Sequence, residues 1–230
     1  MEQPKLVTLD RGDAQLHGTV TGTGPTVLLL HAGGEERSVW APIAAALPFR
    51  SVAYDLRGHG ASTGEARTLQ PLAADVTAMI HREPAPVVVV GASLGGLAAI
   101  AALADPGVAE AVAGLILVDV VPDPDAARVR AWLDQRGLRD HRAELVSDIF
   151  DHSHELLAAA ARLTLPILLV RGGPTSPLGD PEVDRFRAAN PAVAVTRVPE
   201  AGHLVARDAP EALARIIGDQ VSTWLAGSPG

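Results

Sequence analysis

A serine set among glycines, directly after a run of valines, is the side chain in this sequence best placed to act as a nucleophile. Val87–Val90 leads into Gly91-Ala92-Ser93-Leu94-Gly95-Gly96, a G-x-S-x-G pattern followed by Ala-rich, helix-compatible residues. A strand-to-helix turn of this kind is sharp and strained, and it pushes the serine outward while glycines let the backbones approach. The helix start beneath it offers unpaired N–H groups to developing negative charge. The bland alternative is a glycine-rich turn carrying an incidental serine. A phosphate-binding loop does not fit, because the lysine of GxxxxGK[ST] is missing.

Two further segments could complete acyl-transfer chemistry. Leu28-Leu29-Leu30-His31-Ala32-Gly33-Gly34 places small residues at the end of another apolar run. Its Gly33 N–H, with that of Leu94, is the expected pair of oxyanion donors. His31 is expected to order this loop through hydrogen bonds and not to serve as base. Val198-Pro199-Glu200-Ala201-Gly202-His203 follows the last apolar run, and His203 is the candidate base for Ser93. His59, His81, His141, His152 and His154 fall in segments that look like surface loops or helices. A metal site at His152 and His154 with Asp148 and Asp151 is less plausible than a solvated helix face. Trp40, Trp132 and Trp224 read as packing residues, although Trp132 could touch a substrate.

These residues need a scaffold that brings them to one edge. Lys5–Asp10 and Gln15–Val20, joined by Arg11-Gly12-Asp13, predict an antiparallel hairpin at a sheet edge. Short apolar runs then recur at Thr26–Leu30, Ser51–Tyr54, Val87–Val90, Leu115–Val118, Ile167–Val170 and Val193–Val198. Helix-compatible stretches, Leu69–His81, Leu94–Ala104, Val183–Ala189 and Pro210–Leu225, lie between or after them. Near-continuous Val/Leu/Ile runs predict strands buried on both faces, hence a mostly parallel sheet flanked by helices, an α/β fold. Ligands bind beyond the carboxyl ends of such strands, which is where the polar motifs fall. Residues 121–164 contain no strand-like run and are expected to form a small helical cap insertion in a single domain spanning 1–230. The tail Gly227-Ser228-Pro229-Gly230 is expected to fray.

Composition narrows the function. Hydrophobic residues are 47% of the 230, enough for a large core, while aromatic residues are only 3%. A formal net charge of −8 argues against nucleic-acid binding, and no polybasic segment suggests contact with anionic lipid. There is no cysteine, so thiolate chemistry and disulfides are excluded. No apolar run approaches the roughly 20 residues that span a bilayer. The start shows no basic leader with an apolar signal core, so a cytoplasmic location is expected. A soluble monomer or homodimer acting on a small molecule fits all of this. The Ala- and Arg-rich, Lys-poor composition points to a GC-rich bacterial genome.

Taken in order, LLLHAGG, YDLRGHGAS (Tyr54–Ser62), VGASLGG, LILVDVVP and PEAGH resemble the α/β-hydrolase superfamily over nearly the whole chain. The resemblance implies an α/β-hydrolase fold, a serine nucleophile and no metal or organic cofactor. It implies loop-shaping roles for Asp55, Arg57 and His59. It also locates a departure. Relatives usually carry the triad acid in the loop after the seventh strand, where this chain reads Arg171-Gly172-Gly173-Pro174-Thr175-Ser176-Pro177, with Ser176 in place of the aspartate. Asp119, directly after the sixth strand, is the preferred substitute, and Asp180 or no acid at all are the alternatives. Asp180 before Pro181 looks more like a helix N-cap. The reaction expected is hydrolysis of a small or medium ester, thioester or lactone through an acyl-enzyme. C–C hydrolysis, elimination and cofactor-free perhydrolysis use the same constellation. A non-catalytic ligand-binding protein would follow from a truly missing acid. A serine at this turn argues against dehalogenase or epoxide hydrolase chemistry, which uses an aspartate nucleophile.

Overall fold

The computed structural model describes residues 3–137 and 142–226. Among them, eight strands form one sheet: β1 (Lys5–Asp10), β2 (Gln15–Thr21), β3 (Thr26–Leu30), β4 (Arg50–Tyr54), β5 (Val87–Ala92), β6 (Val112–Val118), β7 (Ile167–Arg171) and β8 (Val193–Arg197). Their order across the sheet is β1-β2-β4-β3-β5-β6-β7-β8. β1 pairs antiparallel with β2, and β2 with β4, while all other pairs are parallel. The edge hairpin turns through Gly12 at φ 81, with Arg11 N–H donating to Ala14 O at 2.8 Å.

The helices are α1 (Ala41–Ala46), α2 (Leu69–Arg82), α3 (Leu94–Ala102), α4 (Pro106–Ala109), α5 (Ala126–Asp134), α6 (Ala143–Asp151), α7 (Ser153–Arg162), α8 (Asp180–Ala189), α9 (Val205–Asp208) and α10 (Pro210–Ala226), with a 3-10 turn at Arg37–Trp40. Side chains alternate across a strand, so each apolar run feeds two cores. Leu28, Leu30, Val89, Leu117 and Leu169 join one core with α2, α3, α7 and α8. Val27, Leu29, Val90, Ile116 and Val170 join the other with Trp40, α1 and α10. This two-sided burial is why the sequence shows unbroken runs and not an alternating pattern.

Several boundaries differ from expectation. β6 begins at Val112, before the run Leu115–Val118, and Trp224 of α10 packs where a Cβ on its Gly114 would stand. α8 begins at Asp180, so that residue lies in the first turn and Gly179 takes the N-cap. α3 ends at Ala102. His59 is buried at 6% exposure and not on the surface; its ring meets His31 edge-on, with centroids 5.0 Å apart. Trp40 is fully buried. The loop after β4 is pinned by ion pairs: Asp55 binds Arg37, and Arg57 binds Asp75 of α2 at 2.8 Å. His141 and Gly227–Gly230 lie outside the described residues. No helix among the described residues is long and apolar enough to cross a membrane.

Sheet order sets where a ligand can sit. From β3 the chain moves outward to β4, then crosses back over β3 to β5. The loops leaving β3 and β5 therefore diverge, and the crevice between them is the natural binding place in such a sheet. The parallel register keeps the strand ends level, with Leu30 opposite Gly91 and Ala92 opposite Val118.

Candidate active site

Ser93 sits on the turn between β5 and α3 at φ 46, ψ −113. A residue with a Cβ is disfavoured in that region, and the surrounding contacts must hold it there. Glycine makes this possible. A Cβ on Gly91 would lie 2.5 Å from Gly96 Cα, and one on Gly95 would lie 2.6 Å from Leu30 O. Ser93 O accepts from Gly96 N–H at 3.0 Å and from Leu97 N–H at 3.1 Å, which starts the helix. Leu94 is the first residue of α3, a position whose N–H has no intrahelical acceptor.

His203 lies 110 residues later, between β8 and α9, with its Nε2 3.0 Å from Ser93 Oγ. Its loop is held by Gly173 N–H to Ala201 O at 2.7 Å and Gly202 N–H to Asp208 Oδ2 at 2.8 Å. His203 Nδ1 lies 2.8 Å from Asp119 Oδ2. With Nδ1–H donating to this carboxylate, Nε2 is left as the acceptor for the serine hydroxyl. The three side chains are thus within hydrogen-bond reach in series.

Asp119 is 2% exposed and takes φ 51 at the end of β6. Its N–H donates to Val170 O at 2.8 Å, and its Oδ1 accepts from Gly172 N–H at 2.7 Å. Ser176 Oγ donates to Asp119 Oδ2, the same oxygen that faces His203. The hydroxyl at the position where relatives carry the acid therefore supports the carboxylate that stands next door. Asp180 is elsewhere: its side chain is 71% exposed and bonds Arg171 at 2.6 Å and Arg197 at 2.9 Å. The Arg171 hydrogen bond and charge hold its carboxyl below the usual range.

Gly33 lies on the cavity wall in a turn closed by Glu35 N–H to Ala32 O at 3.1 Å, with Gly34 at φ 80. His31 is fully buried behind it. Its Nε2 accepts from Leu56 N–H at 2.9 Å, so its Nδ1–H donates to Ala32 O at 2.8 Å. Burial lowers its pKa. Glu35 is half-buried nearby, and burial pushes its carboxyl up against the pull of Arg207.

A cavity of about 140 Å³ opens on Ser93 and His203. Its walls come from the turn at Ala32–Gly33, from α3, and from α5 and α6, the helices between β6 and β7. Trp132 of α5 meets the His203 ring edge-on, centroids 4.7 Å apart. Among the described residues, no group of three or more His, Asp or Glu is arranged to hold a metal ion. His152 instead bonds Asp148 O at 2.9 Å on an exposed stretch, and Asp148 accepts from Leu69 N–H at 2.8 Å. Two contacts escaped sequence reasoning. The Ser176–Asp119 bond joins residues 57 apart, and the Trp132–His203 contact depends on how α5 folds back.

The comparisons with known proteins agree with this architecture. Esterase Rv0045c of Mycobacterium tuberculosis is 39% identical over 122 residues, covering 50% of this chain and 40% of that protein. Its crystal structure matches with a TM-score of 0.72 at 25% identity, over 96% of this chain and 92% of that one. Pimeloyl-[acyl-carrier protein] methyl ester esterase of Shewanella sp. (strain MR-7) is 37% identical over 124 residues, 51% of this chain and 43% of that protein. Protein phosphatase methylesterase 1 of Bos taurus is 37% identical over 109 residues, 43% of this chain and 28% of that protein. These sequence matches span less than half the length of the curated relatives. The profile of the alpha/beta hydrolase family matches residues 27–216, and the chain belongs to that family.

Proposed function

We propose that this chain is a serine hydrolase cleaving a small or medium carboxylic ester, thioester or lactone through an acyl-enzyme. The observation that carries this is the series Ser93 Oγ to His203 Nε2 at 3.0 Å and His203 Nδ1 to Asp119 Oδ2 at 2.8 Å. Ser93 attacks the carbonyl carbon as His203 takes its proton. The tetrahedral oxyanion is received by the N–H groups of Gly33 and Leu94. His203 then gives its proton to the leaving group, and water activated by His203 releases the acid. Asp119 fixes the imidazole tautomer and stabilises the imidazolium. No step needs a cofactor. The helices α5 and α6, between β6 and β7, act as a small cap that shapes the pocket. The esterases and methyl ester esterase among the relatives support ester substrates. The carboxylate beside His203 favours this reading over a purely ligand-binding role.

The test is labelling by a fluorophosphonate, read by intact mass. Wild type is expected to label rapidly and Ser93→Ala not at all. Asp119→Asn is expected to label far more slowly and Asp180→Asn like wild type. A wild-type protein that resists the probe would overturn the activated-serine assignment.

A further inference from the structure

One wall of the active-site cavity carries a cation, Arg142, that forms no ion pair with a carboxylate among the described residues. Leu145, Val146 and Ile149 of α6 face the cavity, and Arg142, at the N-cap of that helix, continues the same stripe at i, i+3, i+4, i+7 spacing. Arg142 stands at φ 57, a left-handed conformation disfavoured for a side chain with a Cβ. Its Nη2 donates to Gly58 O, while its buried Nε has no partner. No carboxylate among the described residues pairs with it. Other arginines in or near the site have one: Arg37 has Asp55, Arg57 has Asp75, Arg128 has Glu182 and Arg171 has Asp180.

The acids on the cavity wall are already engaged. Asp119 serves His203, Asp125 caps α5 and Glu182 holds Arg128. Burial presses the Arg142 guanidinium below its ordinary pKa, opposed by the charge of Glu65. A guanidinium remains protonated under such pressure and keeps its planar fork of donors. A single fork on an otherwise apolar wall suits a planar monoanion at the end of an apolar chain. The leaving group must lie where His203 can protonate it, beside Trp132 of α5, so the α6 wall falls to the acyl chain.

We propose that the substrate is an ester or thioester whose acyl chain ends in a free carboxylate, a half-ester of a dicarboxylic acid, and that Arg142 binds that carboxylate. This rests on Ser93 being the nucleophile. The competing role for Arg142 is a latch that fixes α6 to the loop at Gly58. The two are separated by a matched pair of substrates, mono-p-nitrophenyl adipate and p-nitrophenyl hexanoate, compared in wild type, Arg142→Gln and Arg142→Lys.

Wild type is expected to prefer the adipate half-ester. Arg142→Gln should collapse the ratio of the two kcat/KM values by about 10- to 100-fold, mainly through KM. Arg142→Lys should keep part of the ratio. Free adipate should slow fluorophosphonate labelling of wild type and not of Arg142→Gln. A ratio unchanged by Arg142→Gln, with both substrates falling together, would mean a latch and overturn the proposal. A wild-type preference for the hexanoate would do the same. Failure of the hydrolase assignment looks different, with no labelling and neither ester cleaved. Calorimetric titration with adipate would then decide: binding lost in Arg142→Gln upholds the carboxylate site, and no binding to wild type ends it.

Discussion

Asp119 Oδ2 is the meeting point of two donors, His203 Nδ1 at 2.8 Å and the hydroxyl of Ser176. The loops after β6 and β7 therefore meet at one oxygen beside the imidazole, and an acid placed at position 176 is expected to reach the ring. Asp119→Asn should lower kcat/KM by about 10³- to 10⁴-fold, because the amide cannot stabilise an imidazolium. Adding Ser176→Asp to that variant should restore at least about tenfold, measured as kcat/KM on a p-nitrophenyl ester. A double variant no faster than Asp119→Asn would show that the second loop cannot supply the acid. At this scale the turn at Ser93 was readable because it is written in consecutive residues. The approach of His203 to Ser93 was readable only once that turn was found, since the chain holds 8 histidines. The Ser176 hydroxyl was not readable as support for Asp119, because no local pattern records a contact made by loops after different strands. Surface placement of His59 failed for a related reason: it is buried, and its ring meets His31, 28 positions earlier in sequence and adjacent only in space.

The strands and long helices were legible as elements because each buries a continuous apolar surface, on two faces for a strand and one for a helix. β3 and β1 fall where the apolar and alternating runs end, and α2 and α10 extend only slightly past their expected limits. The short pieces, α1, α4, α9 and the 3-10 turn, were not legible, since four to six residues carry too little period to stand out from a loop. The strand-to-helix turn at Ser93 is the element on which the site depends most. Its tolerance for side chains is limited by backbone and not by flexible neighbours: a Cβ on Gly95 would meet Leu30 O at 2.6 Å and Leu30 C at 2.7 Å. Gly95→Ala must push α3 away from β3, and should cost about 2–4 kcal/mol of stability. Denaturant unfolding of the two proteins measures it. A change within about 0.5 kcal/mol would show that helix and strand can separate freely.

For the molecule as a whole, the α/β layering and the gathering of polar motifs along one sheet edge were legible in the order of runs and motifs. Helical material over that edge was expected from residues 121–164, but which side chains of α5 and α6 line the cavity was not legible, because an amphipathic helix announces which face it buries and not what it is buried against. Global stability has a titratable element in His31, which ties the end of β3 to the loop after β4 as a neutral ring. Burial depresses its pKa, so as pH falls the unfolded chain takes up the proton first, near the ordinary value of about 6.5. The stabilisation is complete above that pH and is lost as pH falls toward the folded-state value. Thermal unfolding midpoints should therefore decline between about pH 7 and pH 5 more steeply in wild type than in His31→Gln, which keeps an acceptor for Leu56 N–H but does not titrate. Parallel slopes would mean that His31 is not protonated on unfolding in this range.

Asp119 directly follows β6, before the chain leaves to build α5 and α6: Val120 and Val121 are buried directly after it, and Pro122 follows. The residue that holds the imidazole and the start of the roof over the pocket are thus a single covalent stretch. Any exchange of this roof tugs on the carboxylate. Under the proposed mechanism, remodelling what this protein accepts is coupled to how fast it turns over, and a grafted roof is expected to need the sequence through Pro122 before it diverges.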